Sequence, residues 1–193
     1  MARMGAELRR QDFVEATVKV IAEHGVANAT TRRIAAAAGC PLASLHYVFH
    51  TKNDLFYAVY ESLFNLPHQA LEHVPAGTTA AETAAEVLRQ LITWFIDHPD
   101  AAKAQIELFF WAMRNDPEMA SKIYSVAIEA TERALERAMG AELEEAFLKA
   151  VSRLLIHLVD GLTIAWSAHG DLQRLRTETE TACTALALLV ASH

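Results

Sequence analysis

Apolar side chains recur three and four residues apart along almost the whole chain, and no stretch alternates apolar and polar residues with the β-branched enrichment of a strand. That periodicity restricts the chain to an all-α fold, and glycine and proline then mark where each helix must stop. A first helix is predicted from Arg9 to His24, with Val14, Val18 and Ile21 on one face and Gly25 ending it. A second begins after Thr30 or Thr31, either hydroxyl serving as the cap, and closes at Gly39. A third has Pro41 in its first turn and carries Leu42, Ser44, Leu45 and His46; Thr51 caps a fourth, whose core face is Leu55, Val59 and Leu63. Pro67, then Val74 to Thr79 with Pro75 and Gly77, punctuate the passage into a second region. Beyond it helices are predicted over Thr79 to Asp97, Pro99 to Asn115, Glu118 to Met139, Glu142 to Ala168 and Asp171 to Ala191, with Gly140 and Gly170 as stops. The expected architecture is about nine helices: a three-helix N-terminal domain over residues 1–54 and a helical bundle over 55–193.

An apolar fraction of 52% is ample for a core. The N-terminus MARMGAELRR lacks the apolar run of a secretory signal, and charges or prolines break every long apolar stretch, so a cytoplasmic protein with no membrane partner is expected. Cys40 and Cys183 are too few and too far apart for a zinc motif or a disulfide framework and are expected to be reduced structural thiols. The net charge of -7 argues against nucleic acid until it is divided along the chain. Residues 1–60 hold seven Lys and Arg against five acids, a balance of +2, while the rest carries -9. Phosphate binding needs a local positive surface, which an acidic body behind a mildly basic head still allows.

The most informative segment is Thr30 to Leu55, TTRRIAAAAGCPLASLHYVFHTKNDL. A short capped helix, a glycine turn and a second short helix opened by proline make a helix-turn-helix, which lays its second helix in the major groove of duplex DNA. The run Ala35 to Ala38 lets the two helices approach closely around Ile34, Leu45 and Phe49. Thr31, Arg32, Ser44, His46, Tyr47 and Lys52 are left for the outer face as hydrogen-bond donors to phosphate, and Leu42 and Ala43 suit thymine methyl groups. His46 and His50, four apart, flank this turn; a surface pair is expected there rather than a metal site.

This segment resembles the DNA-binding domain of the TetR family of transcriptional regulators. Thr30 to Ala35, Gly39, Leu45, Phe49, Thr51, Lys52, Asp54 and Leu55 match the family pattern in order and spacing. The resemblance implies that Thr31 and Arg32 hold phosphates, that Leu42, Ala43 and Ser44 face bases and backbone, and that His46, Tyr47 and Lys52 clamp the flanking phosphates. Pro41 and Leu42 stand where Ser and a basic or polar residue are common, Ala43 replaces a frequent Gly, and His46 the usual Tyr. Pro41 is nonetheless counted with the DNA-binding residues. The resemblance also implies a repressor on a palindromic operator. A two-fold dimer would present two reading helices about 34 to 36 Å apart, matching successive major grooves. The last two helices are the expected homodimer interface, because Val151 to Trp166 is apolar on most of its circumference and must be covered on two sides.

The second region concentrates large rings, and an apolar bundle of this kind commonly binds a small molecule between its helices. Phe64, Trp94, Phe109, Phe110, Met113, Tyr124, His157 and Trp166 are the candidate effector residues, with Thr93, Gln105 and Arg114 as further polar groups. The expected effector is small and apolar or aromatic, and it would act by biasing two arrangements of the fourth helix. No cofactor is expected. Two other readings fit the same residues: a DNA-binding dimer that takes no effector, and a helical enzyme. Nine histidines invite the second, but the sequence holds no HExxH, GxSxG, Walker or GxGxxG pattern.

Overall fold

A computed structural model of the chain describes residues 2–71, 79–139 and 144–193, without the side chains of 2–6, 64–71 and 138–139. Among the described residues there are nine α-helices and no strand: α1 (Ala2–His24), α2 (Thr31–Ala37), α3 (Leu42–Val48), α4 (Lys52–Leu71), α5 (Ala80–Asp97), α6 (Pro99–Asn115), α7 (Pro117–Met139), α8 (Glu145–His169) and α9 (Leu172–Ala191). The all-α expectation is borne out, and most helix ends fall within three residues of their predicted places.

Capping explains that agreement. Thr30, Thr79 and Asp171 each accept a hydrogen bond from the amide three residues on, at 3.2, 3.2 and 3.0 Å. Asp116 does the same for Met119 at 3.0 Å. Thr51 and Asp54 satisfy each other's amides reciprocally, at 3.0 and 2.9 Å, which fixes the start of α4. Three predictions are corrected. Helix α1 begins at Ala2 rather than Arg9. Pro41 is the extended residue before α3, not part of its first turn. Helix α4 runs through Pro67 to Leu71, since a proline deletes one backbone hydrogen bond without obliging the helix to end. The predicted stop at Gly140 and the boundary signals Val74 to Gly77 lie outside the described residues.

The chain divides into two compact units, Met1–Phe64 with Pro99–Ile123, and Asn65–His98 with Tyr124–His193. In the first, α6 lies against α1, and Val26 N–H donates to the Glu107 carboxylate at 3.5 Å. In the second, α5, α8 and α9 pack together, with Val87, Leu88, Leu91, Ile92 and Phe95 of α5 buried. Ala84 and Ala85 are small enough to let α9 approach, and the Cys183 thiol donates to the Ala85 carbonyl at 3.3 Å. Arg89 ties the two helices at the surface, holding Glu180 with two hydrogen bonds at 2.8 and 2.9 Å.

The buried polar side chains cost little. Thr17, Thr83, Thr131, Ser152, Thr163 and Thr179 each donate to the carbonyl four residues back in their own helix. Packing therefore carries the stability of the second unit. Leu88→Ala should cost about 3 kcal/mol through the cavity it leaves, and Thr179→Val, which removes a locally satisfied hydroxyl, should stay within about 1 kcal/mol. Urea denaturation of the two variants compares them directly.

Candidate nucleic-acid interface

The turn between α2 and α3 is built by backbone geometry. Gly39 N–H donates to the Ala36 carbonyl at 3.1 Å and Cys40 N–H to the Ala35 carbonyl at 3.0 Å, the paired bonds of a Schellman cap. That cap needs a left-handed residue, which Gly39 supplies with φ of +64°. Pro41 then restarts the chain in an extended conformation, and its carbonyl accepts from Ser44 N–H at 2.9 Å, opening α3.

Helix α3 is held from inside. Leu45 is buried with Ile34 and Ala35 of α2. Phe49, just past the helix, is buried and meets the Phe13 ring of α1 edge-on at 6.5 Å, with the Arg10 guanidinium over the Phe49 ring, 5.6 Å from its centre. These anchors turn the expected reading face outward. Tyr47 is 83% exposed, Arg32, Pro41, Ala43 and His46 are exposed, and Thr31, Leu42, Ser44 and Lys52 are half-buried. The Lys52 ammonium sits 4.7 Å from the Phe56 ring centre, and burial pulls its pKa down from the usual lysine range. Arg33, though exposed, is spent on the fold, since its guanidinium donates to the Asn28 carbonyl at 3.0 Å. His46 and His50 are both exposed, and among the described residues no group of three His, Cys, Asp or Glu is placed to hold a metal ion.

The candidate effector residues fall into separate groups. Phe109, half-buried, and Phe110 and Met113, both exposed, lie on α6 in the first unit. On the same helix, the buried Gln105 carbonyl oxygen has no hydrogen-bond partner among the described residues. In the second unit Trp94 stacks on His98 at 4.4 Å, and Tyr124 stacks on His157 at 6.2 Å. Trp166 is half-buried, and the Phe64 side chain lies outside the described residues. A groove of about 610 Å³ between α5 and α9, lined by Ala81, Ala85, Cys183 and Ala187 among others, includes none of the candidates.

Sequence reasoning passed over Asp160, the acid within the apolar stretch of α8. Burial pushes its carboxyl up to about 6, against the opposing pull of the Tyr124 hydroxyl, which donates to it, and of His157. Burial likewise raises the Tyr124 phenol to about 12, with the Asp160 carboxylate adding to the effect. An acid interrupting Val151 to Trp166 was the available signal.

Two short helices pivoting on a left-handed glycine, the second exposing donors on one side and anchored by Leu45 and Phe49 on the other, define a helix-turn-helix DNA-binding protein. The profile of the bacterial regulatory proteins, tetR family, matches residues 13–59. The nicotine-responsive transcriptional repressor HdnoR of Paenarthrobacter nicotinovorans is 26% identical over 166 residues, covering 83% of this chain and 84% of its own. The regulator BetI of Cronobacter sakazakii is also 26% identical, covering 92% of this chain and 89% of its own. The solved multidrug binding protein EbrR, in complex with imidazole, superposes with a TM-score of 0.66 at 24% identity, over 92% of this chain and 89% of that one. Residues 13–59 thus form a tetR-type DNA-binding domain, and the chain is similar over most of its length to transcriptional regulators. No helix among the described residues is long and apolar enough to cross a membrane.

Two outcomes follow from the geometry. A Cβ on Gly39 would meet nothing within 4 Å, so Gly39→Ala costs only the left-handed conformation. That is about 1 to 2 kcal/mol of stability, measurable as a shift in the denaturation midpoint. For Asp160, a folded pKa of about 6 against an ordinary 3.8 means that the native state binds the proton more tightly than the unfolded chain. Its stabilising contribution is present below the ordinary value and lost as pH rises through the raised one. Asp160→Asn should flatten that decline in a stability profile taken across this range.

Proposed function

We propose that the chain is a repressor that binds a palindromic operator as a homodimer and is released by a small apolar or aromatic effector. The observation that carries the reading is the outward face of α3, where Tyr47, Ala43 and His46 are exposed while Leu45 and Phe49 are buried. On this reading the head is residues 1–54, Leu42, Ala43 and Ser44 meet base edges, and Thr31, Arg32, His46, Tyr47 and Lys52 hold phosphates on either side, with Pro41 setting the entry angle of α3. Lys52 stands in the first turn of α4, where the helix dipole already favours an anion.

Residues 55–193 serve as the effector-binding and dimerisation body. Pairing through α8 and α9 is supported by the apolar side chains those helices leave exposed, Ile164, Leu172, Leu188 and Leu189. The effector class is supported by HdnoR, a nicotine-responsive repressor, and by EbrR, which has been crystallised with imidazole and with ethidium. Helix α6 offers a route from body to head. It carries Phe109, Phe110 and Met113, and the Glu107 carboxylate on the same helix holds the backbone at the end of α1. The cytoplasm is where such a regulator would meet both DNA and effector.

Binding to a palindrome selected from random DNA, measured at two salt concentrations, tests the division of roles. Lys52→Gln should weaken every sequence about equally and reduce the salt slope by about 1. Ser44→Ala and Leu42→Ala should change which bases are preferred. Uniform losses from all three variants would overturn the assignment of α3 as the reading helix.

A further inference from the structure

Several cations of this protein are held by acids. Arg89 bonds to Glu180, Arg174 to Glu178 and Lys149 to Glu145, and near the reading helix Arg10 pairs with Glu61. Lys52 is held differently. Among the described residues no carboxylate pairs with it. Its ammonium lies over the ring of Phe56, one turn on along α4, at 4.7 Å from the ring centre. Phe56 is fully buried, and the half-buried Trp111 ring of α6 meets it at 5.1 Å with the planes 88° apart. All three residues lie in the first compact unit.

A carboxylate beside Lys52 would hold its side chain, but it would also cancel the charge and repel an approaching phosphate. An aromatic face attracts an ammonium through its quadrupole and carries no net charge, so the cation keeps its attraction for an anion. Lysine has a flexible four-carbon stem, and ordering such a chain on binding weakens affinity by about two- to tenfold. A stem already laid against a ring avoids that loss. Burial has also removed part of the ammonium's water, which draws its pKa below the usual lysine range, so less hydration is left to displace. The ring can act in this way only if it is itself fixed, and Trp111 stands against it. We propose that Phe56 and Trp111 are positioning residues for DNA binding: Phe56 holds the Lys52 ammonium in place, and Trp111 holds Phe56. This rests on the reading of Lys52 as a phosphate contact given above and extends it to two residues behind the cation. It also puts α6, which carries Phe109, Phe110 and Met113, directly behind the grip on phosphate.

Affinity of the full chain for the selected palindrome and for unrelated DNA, at two salt concentrations, tests this in two backgrounds. With Lys52 present, Phe56→Leu and Trp111→Leu should each weaken both DNAs about threefold or more, and Trp111→Phe, which keeps a ring against Phe56, should stay within about twofold of wild type. In Lys52→Gln the losses from Phe56→Leu and Trp111→Leu should shrink below about twofold, because the group they position is gone. Losses of equal size in both backgrounds, or no loss from either variant with Lys52 present, would overturn the proposal. If Lys52→Gln alone leaves affinity and salt slope unchanged, the phosphate reading of Lys52 fails and the proposal fails with it. A second readout needs no DNA. The Phe56 ring current should shift the Lys52 ε-methylene protons upfield in the free protein, and Trp111→Leu should reduce that shift. Absence of the shift in wild type would overturn the proposal even where Phe56→Leu does not fold, and far-ultraviolet circular dichroism shows which variants keep the fold.

Discussion

The reading head depends on burying two side chains, Leu45 and Phe49. Helices α2 and α3 are seven residues each, about two turns, far below the length at which an isolated helix persists in water. Leu45 closes against α2, and Phe49, from the extended residue after α3, reaches the Phe13 ring of α1. Fully burying two such side chains is worth about 3 to 6 kcal/mol, enough to offset the ordering of a short helix that has no side-chain cap of its own. Their direction also fixes the direction of everything else on α3. With Leu45 inward, Ala43, His46 and Tyr47 have to point out.

The second unit is stabilised differently. Its buried hydroxyls donate to carbonyls four residues back, and contacts between α5 and α9 are made by apolar side chains, small residues and the Cys183 thiol. Arg89 adds a bidentate bond to Glu180 at the surface, where solvent keeps its contribution small. Against that background Asp160 and Tyr124 are the unusual pair, two groups on different helices whose burial moves both away from their ordinary acidities.

Much of this was legible in the sequence because the deciding interactions are local. A threonine or aspartate three residues before an amide, or a glycine after an alanine run, needs nothing distant to act, and so Thr30, Gly39, Thr51, Thr79 and Asp171 mark helix ends correctly. The same locality misled at Pro67, where helix propensity on either side outweighs one missing hydrogen bond. The helix-turn-helix face followed from alternation of buried and exposed positions over a single turn. The candidate effector residues did not, because a ring at helical spacing looks the same whether it packs or lines a hollow. Phe95 is buried and Trp111 meets Phe56 edge-on at 5.1 Å, whereas Phe110 and Met113 face solvent. Asp160 was hidden for the converse reason: its meaning lies in Tyr124, thirty-six positions away and on another helix.

The charge distribution bears on how such a head finds its site. Of the basic residues near α3, Arg33 is bonded to the Asn28 carbonyl and Arg10 pairs with Glu61 at 3.9 Å, leaving Arg32 and Lys52 beside neutral donors. Each phosphate neutralised contributes about 0.9 to the salt slope, so with so few cations the phosphate contribution of one head, which carries no sequence preference, is expected to be small. The acidic surplus beyond residue 60 lowers that non-specific affinity further, although charges more than about 8 Å from the DNA are screened at physiological salt. Base contacts and shape then supply a larger share of the binding free energy. Two heads acting together raise specific affinity without raising the affinity of either for random sequence. A sparse set of cations on an acidic protein therefore favours discrimination between sites over strength at any one of them.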